Sequence, residues 1–190
     1  MSQKINGMLV ALLFCAGLFL SPCGKAKGPP LDVAAEQRAA ELTDAQAEQK
    51  ALRLRAAPIH SAALLKEYLA KEDASSPLNL LSPAAKKRFV ESLRFNETGV
   101  TSFTYGDIEA ELSASQAYRL LSLFGLESTI SSMHKMRVDG EEDINVNRAY
   151  PMNRAFPTPG RGQDDDHMGY KCLTPHTCVE SLDMICMSGC

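Results

Sequence analysis

The sequence lacks tryptophan altogether, and aromatic residues occupy only 6% of its 190 positions. A core of this composition must depend on leucine, valine, methionine and a few phenylalanines. The sequence also lacks the motifs of common hydrolases, metalloproteases and nucleotide-binding enzymes: G-x-S-x-G, H-E-x-x-H, the P-loop and G-x-G-x-x-G do not occur. We therefore expect a protein that is not an enzyme and that uses neither a cofactor nor a metal ion.

Basic residues are too few for a nucleic-acid-binding surface. The chain has 20 Lys and Arg against 23 Asp and Glu, a formal net charge of −3. Lys4, Lys25 and Lys27 are the only charged side chains before Gly28, and without them 17 basic residues face 23 acidic ones. A mildly acidic protein is poorly suited to nucleic acids and to anionic membrane surfaces, because both attract basic footprints.

The first 26 residues have the three-part layout of a secretory signal peptide. A basic start at Lys4 leads into the apolar residues 8–20, which Ser21 and Pro22 follow. As a helix this run would span about 20 Å, less than the roughly 30 Å of hydrocarbon in a membrane. We predict export, with cleavage after residue 26, where Gly24 and Ala26 supply small side chains.

A second interpretation of the same region is a lipoprotein signal that covers residues 1–22. Residues 20–24, L-S-P-C-G, resemble a lipobox, in which Cys23 would carry the lipid and begin the mature chain. Pro22 departs from that pattern, because the position normally holds a small residue. Both interpretations place the protein in the periplasm or outside the cell, and such a lipid is the only membrane contact that we predict.

The next segments predict helices. Residues 31–57 predict a spacer helix at the surface, because their repeating positions form only a thin stripe: Leu31, Ala35, Leu42, Ala45, Gln49, Leu52 and Ala56. Residues 58–138 predict a small helical domain, with helices that begin near Ser61, at Ser82-Pro83 and at Ser113. Gln116 stands in capping-box spacing from Ser113, and Gly125 is placed to end that last helix.

One segment of this domain has the period of a β-strand. Residues 100–105 are rich in β-branched and aromatic side chains, and residues 108–112 are either the nearest candidate partner strand or a connector. Asp107, Glu109 and Glu111 alternate, so on a strand they would line one face. Most such faces are solvated edges, but together with His134 they define an alternative function, an envelope hydrolase or metal-dependent enzyme.

Residues 139–171 predict a flexible arm, because prolines, glycines and acidic residues replace the aliphatic ones. The arm contains a repeat, N-R-A-Y-P followed by N-R-A-F-P. It is either a duplicated linker or a partner-binding element that presents Arg148, Tyr150, Arg154 and Phe156.

The tail, residues 172–190, contains four cysteines: Cys172, Cys178, Cys186 and Cys190. In an exported chain an even number of closely spaced cysteines indicates disulfides, although four cysteines allow three pairings. Zinc sites usually use closer C-x2-4-C pairs, so a metal site is the minor alternative. Each disulfide would stabilise this short segment by about 2–4 kcal/mol.

These observations predict a mainly α fold with a small β element, in the α+β class. A small helical domain would be followed by an extended, disulfide-rich tail. The function most consistent with the sequence is binding of an unknown protein partner, in an inhibitor- or immunity-type role, by an exported protein that is not an enzyme.

Overall fold

A computed structural model describes residues 33–71, 73–152 and 166–190. Within these residues the chain forms six α-helices, two short 3₁₀ helices and one four-stranded antiparallel sheet, so the fold is α+β. The predicted signal region with Cys23, and the repeat residues Arg154 and Phe156, lie outside the described residues. None of the described helices has the length and apolar character needed to cross a membrane.

The elements alternate irregularly along the chain. The helices are α1 (Val33–Ala56), α2 (Ala62–Ala70), α3 (Pro83–Ser92), α4 (Gly106–Glu111), α5 (Ala114–Ser122) and α6 (Glu141–Ala149), with 3₁₀ helices at Pro77–Leu80 and Glu127–Ser132. The strands are β1 (Arg94–Asn96), β2 (Gly99–Thr104), β3 (His167–Thr174) and β4 (Thr177–Cys186).

Three helix starts follow the predicted local signals. The Ser61 hydroxyl accepts a hydrogen bond from the Leu64 amide at 3.3 Å, and the Ser82 hydroxyl accepts one from the Ala85 amide at 3.4 Å. At α5, Gln116 Oε1 accepts a hydrogen bond from the backbone N–H of Ser113 at 2.9 Å. Each bond satisfies a backbone donor that the first helical turn leaves unpaired.

The sheet has the strand order β1-β2-β4-β3, with antiparallel neighbours throughout. Phe103 of β2 lies opposite Ile185 of β4, so the disulfide-rich tail contributes a central strand of the sheet. The proposed pairing of residues 100–105 with residues 108–112 is wrong, because residues 108–111 belong to α4. Residues 108–111 are helical and do not pair with β2, since β2 already has a partner strand on each edge.

The core lies between the helices and the central strands of the sheet. The Phe89 ring packs edge-on against Phe103, with ring centroids 6.1 Å apart, and against Phe124 at 5.6 Å. Such edge-to-face contacts add to the stabilisation from burial. The other large, fully buried side chains are mostly aliphatic: Ile59, Leu78, Ile108, Leu112, Leu120, Leu121, Leu126, Ile130 and Met133.

Among the α1 side chains that the structure describes, those that contact this core lie near the C-terminal end of the helix. Leu54 is buried, whereas Leu42 of the predicted stripe is 65% exposed. Gly125 follows α5 with φ +71°, and a Cβ atom there would lie 2.7 Å from the Arg53 carbonyl oxygen. Glycine is therefore required at this position both for its backbone conformation and for the close approach of α1.

The beginning of the predicted flexible arm is ordered into α6, which packs on α5. The Asp143 carboxylate is buried and accepts hydrogen bonds from the amides of Ser115 at 2.7 Å, Asp139 at 2.9 Å and Gly140 at 3.3 Å. Burial by itself would raise the pKa of Asp143, but these hydrogen bonds hold that pKa well below its ordinary value. The acidic run that suggested a linker thus fastens two helices together.

Candidate functional site

The four cysteines of the tail form two nested disulfides, Cys172–Cys190 and Cys178–Cys186. This is one of the three pairings that the sequence leaves open. The bonds join the outer part of the β3–β4 hairpin to the part that lies in the sheet. Disulfides of this kind indicate an oxidising location, extracellular or periplasmic.

The hairpin is folded back on itself. Cys178 and Cys186 lie eight positions apart on β4, which would separate them by about 26 Å in a straight strand. Their Cα atoms are only 6.1 Å apart. The outer half of the hairpin, residues 170–180, therefore turns back toward residues 186–190, and the His176 amide donates a hydrogen bond to the Cys190 carbonyl oxygen at 2.7 Å.

The fold-back occurs at a large bulge in β4. Tyr170 lies opposite Glu180 and Met168 opposite Ile185, so that Gly169 alone faces residues 181–184. Two backbone conformations make this possible, because Gly169 has φ +79° and Asp183 has φ +53°. We refer to residues 181–183 as the β4 bulge.

The β4 bulge is anchored to the start of α4. The Asp183 carbonyl oxygen accepts a hydrogen bond from the Tyr105 amide at 2.8 Å and another from the Thr104 hydroxyl at 2.9 Å. Gly106 faces the bulge so closely that a Cβ atom there would lie 2.9 Å from the Asp183 Cβ. The bulge is thus a fixed part of the fold.

Leu182 occupies the apex of the β4 bulge and is 88% exposed, more than any other large apolar side chain in the described part of the chain. It stands at the rim of a cleft of about 550 Å³. The cleft is lined by Arg88, Thr104, Gly106, Asp107, Glu109, Ala110, Lys135, Leu182 and Asp183. An apolar side chain therefore projects next to a polar, charged depression.

The charges of this cleft are held in defined positions. Arg88 donates two hydrogen bonds to the Asp107 carboxylate, at 2.6 and 2.9 Å, and this contact raises the pKa of the guanidinium. Glu109 Oε1 accepts a hydrogen bond from the Lys135 amide at 3.2 Å. Burial, with the nearby Glu109 and Asp183 carboxylates, raises the pKa of Tyr105.

The acidic residues of the enzyme alternative do not form one catalytic group. They lie on α4, not on a strand, and the three carboxylates do not converge. Asp107 and Glu109 line the cleft, whereas the Glu111 carboxylate accepts hydrogen bonds from the Ser82 amide at 2.7 Å and from the Ser82 hydroxyl at 2.8 Å. His134 is exposed and is not among the residues that line the cleft.

The predicted partner-binding residues in the described region, Arg148 and Tyr150, are not among the residues that line this cleft. Arg148 is exposed in the last turn of α6. The Tyr150 ring packs beside the Tyr118 ring, with centroids 6.0 Å apart. The repeat therefore contributes one half-buried aromatic residue to the α5–α6 surface, and its partner-binding role stays a prediction.

Sequence reasoning missed the residues that build the β4 bulge. Leu182 and Asp183 carry no motif, and their positions depend on which cysteines pair. No sequence motif points to Ser102 either, although its hydroxyl is fully buried beside the disulfides. Two of the bulge's supports did carry a sequence signal: the four cysteines, and Gly106, since a glycine permits close approach of another backbone.

No protein-family model, curated protein or solved structure matches this chain significantly. The function proposed below therefore depends on the geometry of the described residues.

Proposed function

We propose that this protein is exported and acts by binding another protein, in an inhibitor- or immunity-type role, through the β4 bulge and the cleft beside it. The observation that carries the proposal is the position of Leu182, 88% exposed at the apex of a bulge that two disulfides and α4 fix in place.

A fixed, exposed apolar side chain favours binding because little conformational freedom is lost when a partner covers it. A single exposed leucine is ordinary on a protein surface. Leu182 differs because the chain departs from regular strand pairing to present it, and because Gly106 and the Asp183 carbonyl hold that departure in place.

The cleft specifies the chemistry of the partner. The exposed Leu182 side chain is complementary to an apolar pocket on the partner protein. The Arg88–Asp107 pair and Lys135, which line the cleft beside Leu182, favour polar groups of both signs around that pocket. An apolar centre with a charged rim is the usual anatomy of a specific protein–protein interface.

Export is the part of the proposal that the disulfides support. We further propose that the chain begins with a signal sequence, which is either cleaved after residue 26 or removed before a lipidated Cys23. The intact mass of protein isolated from its native cells, with and without reductant, distinguishes the two. A chain that begins at residue 27 indicates ordinary cleavage, and a chain that begins at Cys23 with a lipid-sized mass increase indicates lipidation. A chain that retains Met1 would contradict export.

Binding is tested by comparing three immobilised forms of the disulfide-bonded protein against envelope extracts from its native cells. Leu182→Ser removes the proposed anchor, and Leu42→Ser removes an exposed leucine of α1 as a matched control. We expect one specific protein to bind the unchanged chain and the Leu42→Ser variant, and to lose at least about tenfold in affinity for Leu182→Ser. Equal capture by all three forms would contradict the proposed surface.

The repeat provides a second arm of the same experiment. Arg148→Glu reverses an exposed charge on α6 without touching the cleft. If capture is lost with Arg148→Glu and kept with Leu182→Ser, the partner binds the α6 surface and the β4 bulge is not the binding site.

A further inference from the structure

The two disulfides lie close enough to react with each other. The sulfur atoms of Cys172, Cys186 and Cys190 all lie within 4.8 Å of one another. Thiol–disulfide exchange proceeds by attack of a thiolate on a neighbouring disulfide sulfur. A thiolate released at Cys186 would therefore meet the Cys172–Cys190 bond with only a small movement.

A second, independent feature favours a thiolate at Cys186. Ser102 of β2 lies directly opposite Cys186 of β4, so the two side chains share one face of the sheet. Ser102 is fully buried, and its hydroxyl has no hydrogen-bond partner among the described residues. A buried, unpaired donor of this kind can stabilise a negative charge that forms beside it.

The surroundings of the two buried cysteines set the order of events. Cys172 and Cys178 are both partly exposed, whereas Cys186 and Cys190 are buried, so an external thiol can reach either disulfide at its exposed end. Attack at Cys172 would release Cys190, whose Sγ lies 3.3 Å from the Thr174 carbonyl oxygen, a contact that disfavours a negative charge on that sulfur. Attack at Cys178 releases Cys186 instead and is therefore the favoured first step.

We propose that Cys178 is a site of attack by small thiols and that this attack rearranges both disulfides. The thiolate of a small monothiol attacks Cys178 Sγ, forms a mixed disulfide and releases the Cys186 thiolate beside Ser102. The Cys186 thiolate attacks Cys190 Sγ, forms a Cys186–Cys190 bond and releases the Cys172 thiolate toward solvent.

A third thiol–disulfide exchange completes the rearrangement, and no cysteine is oxidised or reduced overall. Cys172 and Cys178 lie opposite each other on the β3–β4 hairpin. The Cys172 thiolate attacks Cys178 in the mixed disulfide, forms a Cys172–Cys178 bond and returns the small thiol as thiolate. The thiol acts as a catalyst, and the product has two new disulfides in place of the two old ones.

The rearrangement frees the outer half of the hairpin. In the starting form both bonds join residues 170–180 to residues 186–190, whereas in the product each bond lies within one of these segments. The fold-back that presents the β4 bulge then loses both covalent supports. This inference stands apart from the proposed binding function, because its readout is the connectivity of the cysteines.

The test follows connectivity after exposure of the native, disulfide-bonded chain to glutathione. Samples are quenched with acid, alkylated and digested without reduction by a protease that cleaves after Glu180. The starting form gives one species in which peptides on either side of Glu180 are linked by two disulfides. The product gives two separate peptides, each with an internal disulfide.

We expect the linked species to convert into the two separate peptides, with an early glutathione adduct on Cys178. Ser102→Ala should slow the conversion about tenfold, because a hydrogen bond to the leaving thiolate is lost. Ser102→Thr keeps the hydroxyl and should retain most of the rate. Thr101→Val is the matched control, since it removes a hydroxyl from the opposite face of the same strand.

Three results would overturn the inference. The first is an early adduct mainly on Cys172, which contradicts the site of attack. The second is alkylated Cys186 without any separate peptides, which shows simple reduction. The third is an equal slowing by Ser102→Ala and Thr101→Val, which shows that the Ser102 hydroxyl has no specific role.

Discussion

Gly106, the first residue of α4, faces Asp183 of the β4 bulge across a gap that leaves no room for a side chain: a Cβ atom at position 106 would lie 2.9 Å from the Asp183 Cβ. Tyr105, which precedes Gly106 in the chain, donates a hydrogen bond from its amide to the Asp183 carbonyl oxygen. The position of Leu182 therefore depends on a glycine far away in sequence, through packing as well as through the disulfides.

Gly106→Ala should destabilise the protein by about 1–3 kcal/mol, because the added methyl group pushes the β4 bulge away from α4. The free energy of urea unfolding measures the effect. Gly140→Ala is the matched control, since nothing lies within 4 Å of a Cβ atom there. An equal change in both variants would show that the close approach to Asp183 does not matter.

Asp143→Asn should destabilise the protein by about 1–3 kcal/mol at neutral pH, because an amide replaces a carboxylate that accepts charge-assisted hydrogen bonds from three backbone donors. The pKa of Asp143 is lowered by folding, so its contribution is complete above the unfolded-state value of about 3.9 and is lost as the pH falls toward the folded-state value.

The free energies of unfolding of the unchanged protein and of Asp143→Asn, measured between pH 7 and pH 3, test this pH dependence. The difference between the two free energies should be constant above about pH 5 and should become smaller below about pH 4. Asp73→Asn serves as the comparison: hydrogen bonds from the Ser75 hydroxyl and amide also lower the pKa of Asp73, but its carboxylate is exposed, so we expect the same direction of change and a smaller gap. A gap for Asp143→Asn that widens toward low pH would contradict the assignment.

The sequence predicted those parts of the fold that depend on neighbouring residues. Ser82 with Pro83, and Ser113 with Gln116, fix helix starts within one turn of chain. Gly125 is predicted as the end of α5 from its place after the helix and from its backbone angle. These predictions need no knowledge of distant contacts, although the close approach of the Arg53 carbonyl to Gly125 is one.

The sheet and the candidate site depend on distant contacts, and the sequence could not supply them. Phe103 pairs with Ile185 across a long stretch of chain, so the nearest segment was chosen as the partner of β2 and was wrong. Leu182 lies in a bulge that the Cys178–Cys186 bond spans, and that bond is one of the three pairings that the sequence leaves open. Asp143 falls in the predicted flexible arm, although Gly140 before three acidic residues is also a helix-start signal.

The two disulfides should contribute unequally to stability. In the chain-entropy account, the Cys172–Cys190 bond closes a loop with a sequence separation of 18 and the Cys178–Cys186 bond a loop of 8. Replacing the first pair with alanines should cost about 0.7 kcal/mol more than replacing the second, within losses of about 2–4 kcal/mol each. Urea unfolding of the two double variants measures the difference. A larger loss for the shorter loop would show that contacts of the fold-back, and not loop closure, dominate.

Ser102→Ala should stabilise the folded protein by about 1 kcal/mol, although it removes a buried group. The Ser102 hydroxyl loses its hydration on folding and gains no hydrogen bond among the described residues, so its removal relieves a desolvation cost. Ser92→Ala is the contrasting control, because the Ser92 hydroxyl accepts a hydrogen bond from the Thr104 amide at 2.8 Å and donates one to the Phe89 carbonyl oxygen at 2.7 Å. Thermal or urea unfolding should place Ser102→Ala above the unchanged chain and Ser92→Ala below it. If Ser102→Ala instead loses stability as Ser92→Ala does, the Ser102 hydroxyl is satisfied in the folded protein and is not free to stabilise a thiolate at Cys186.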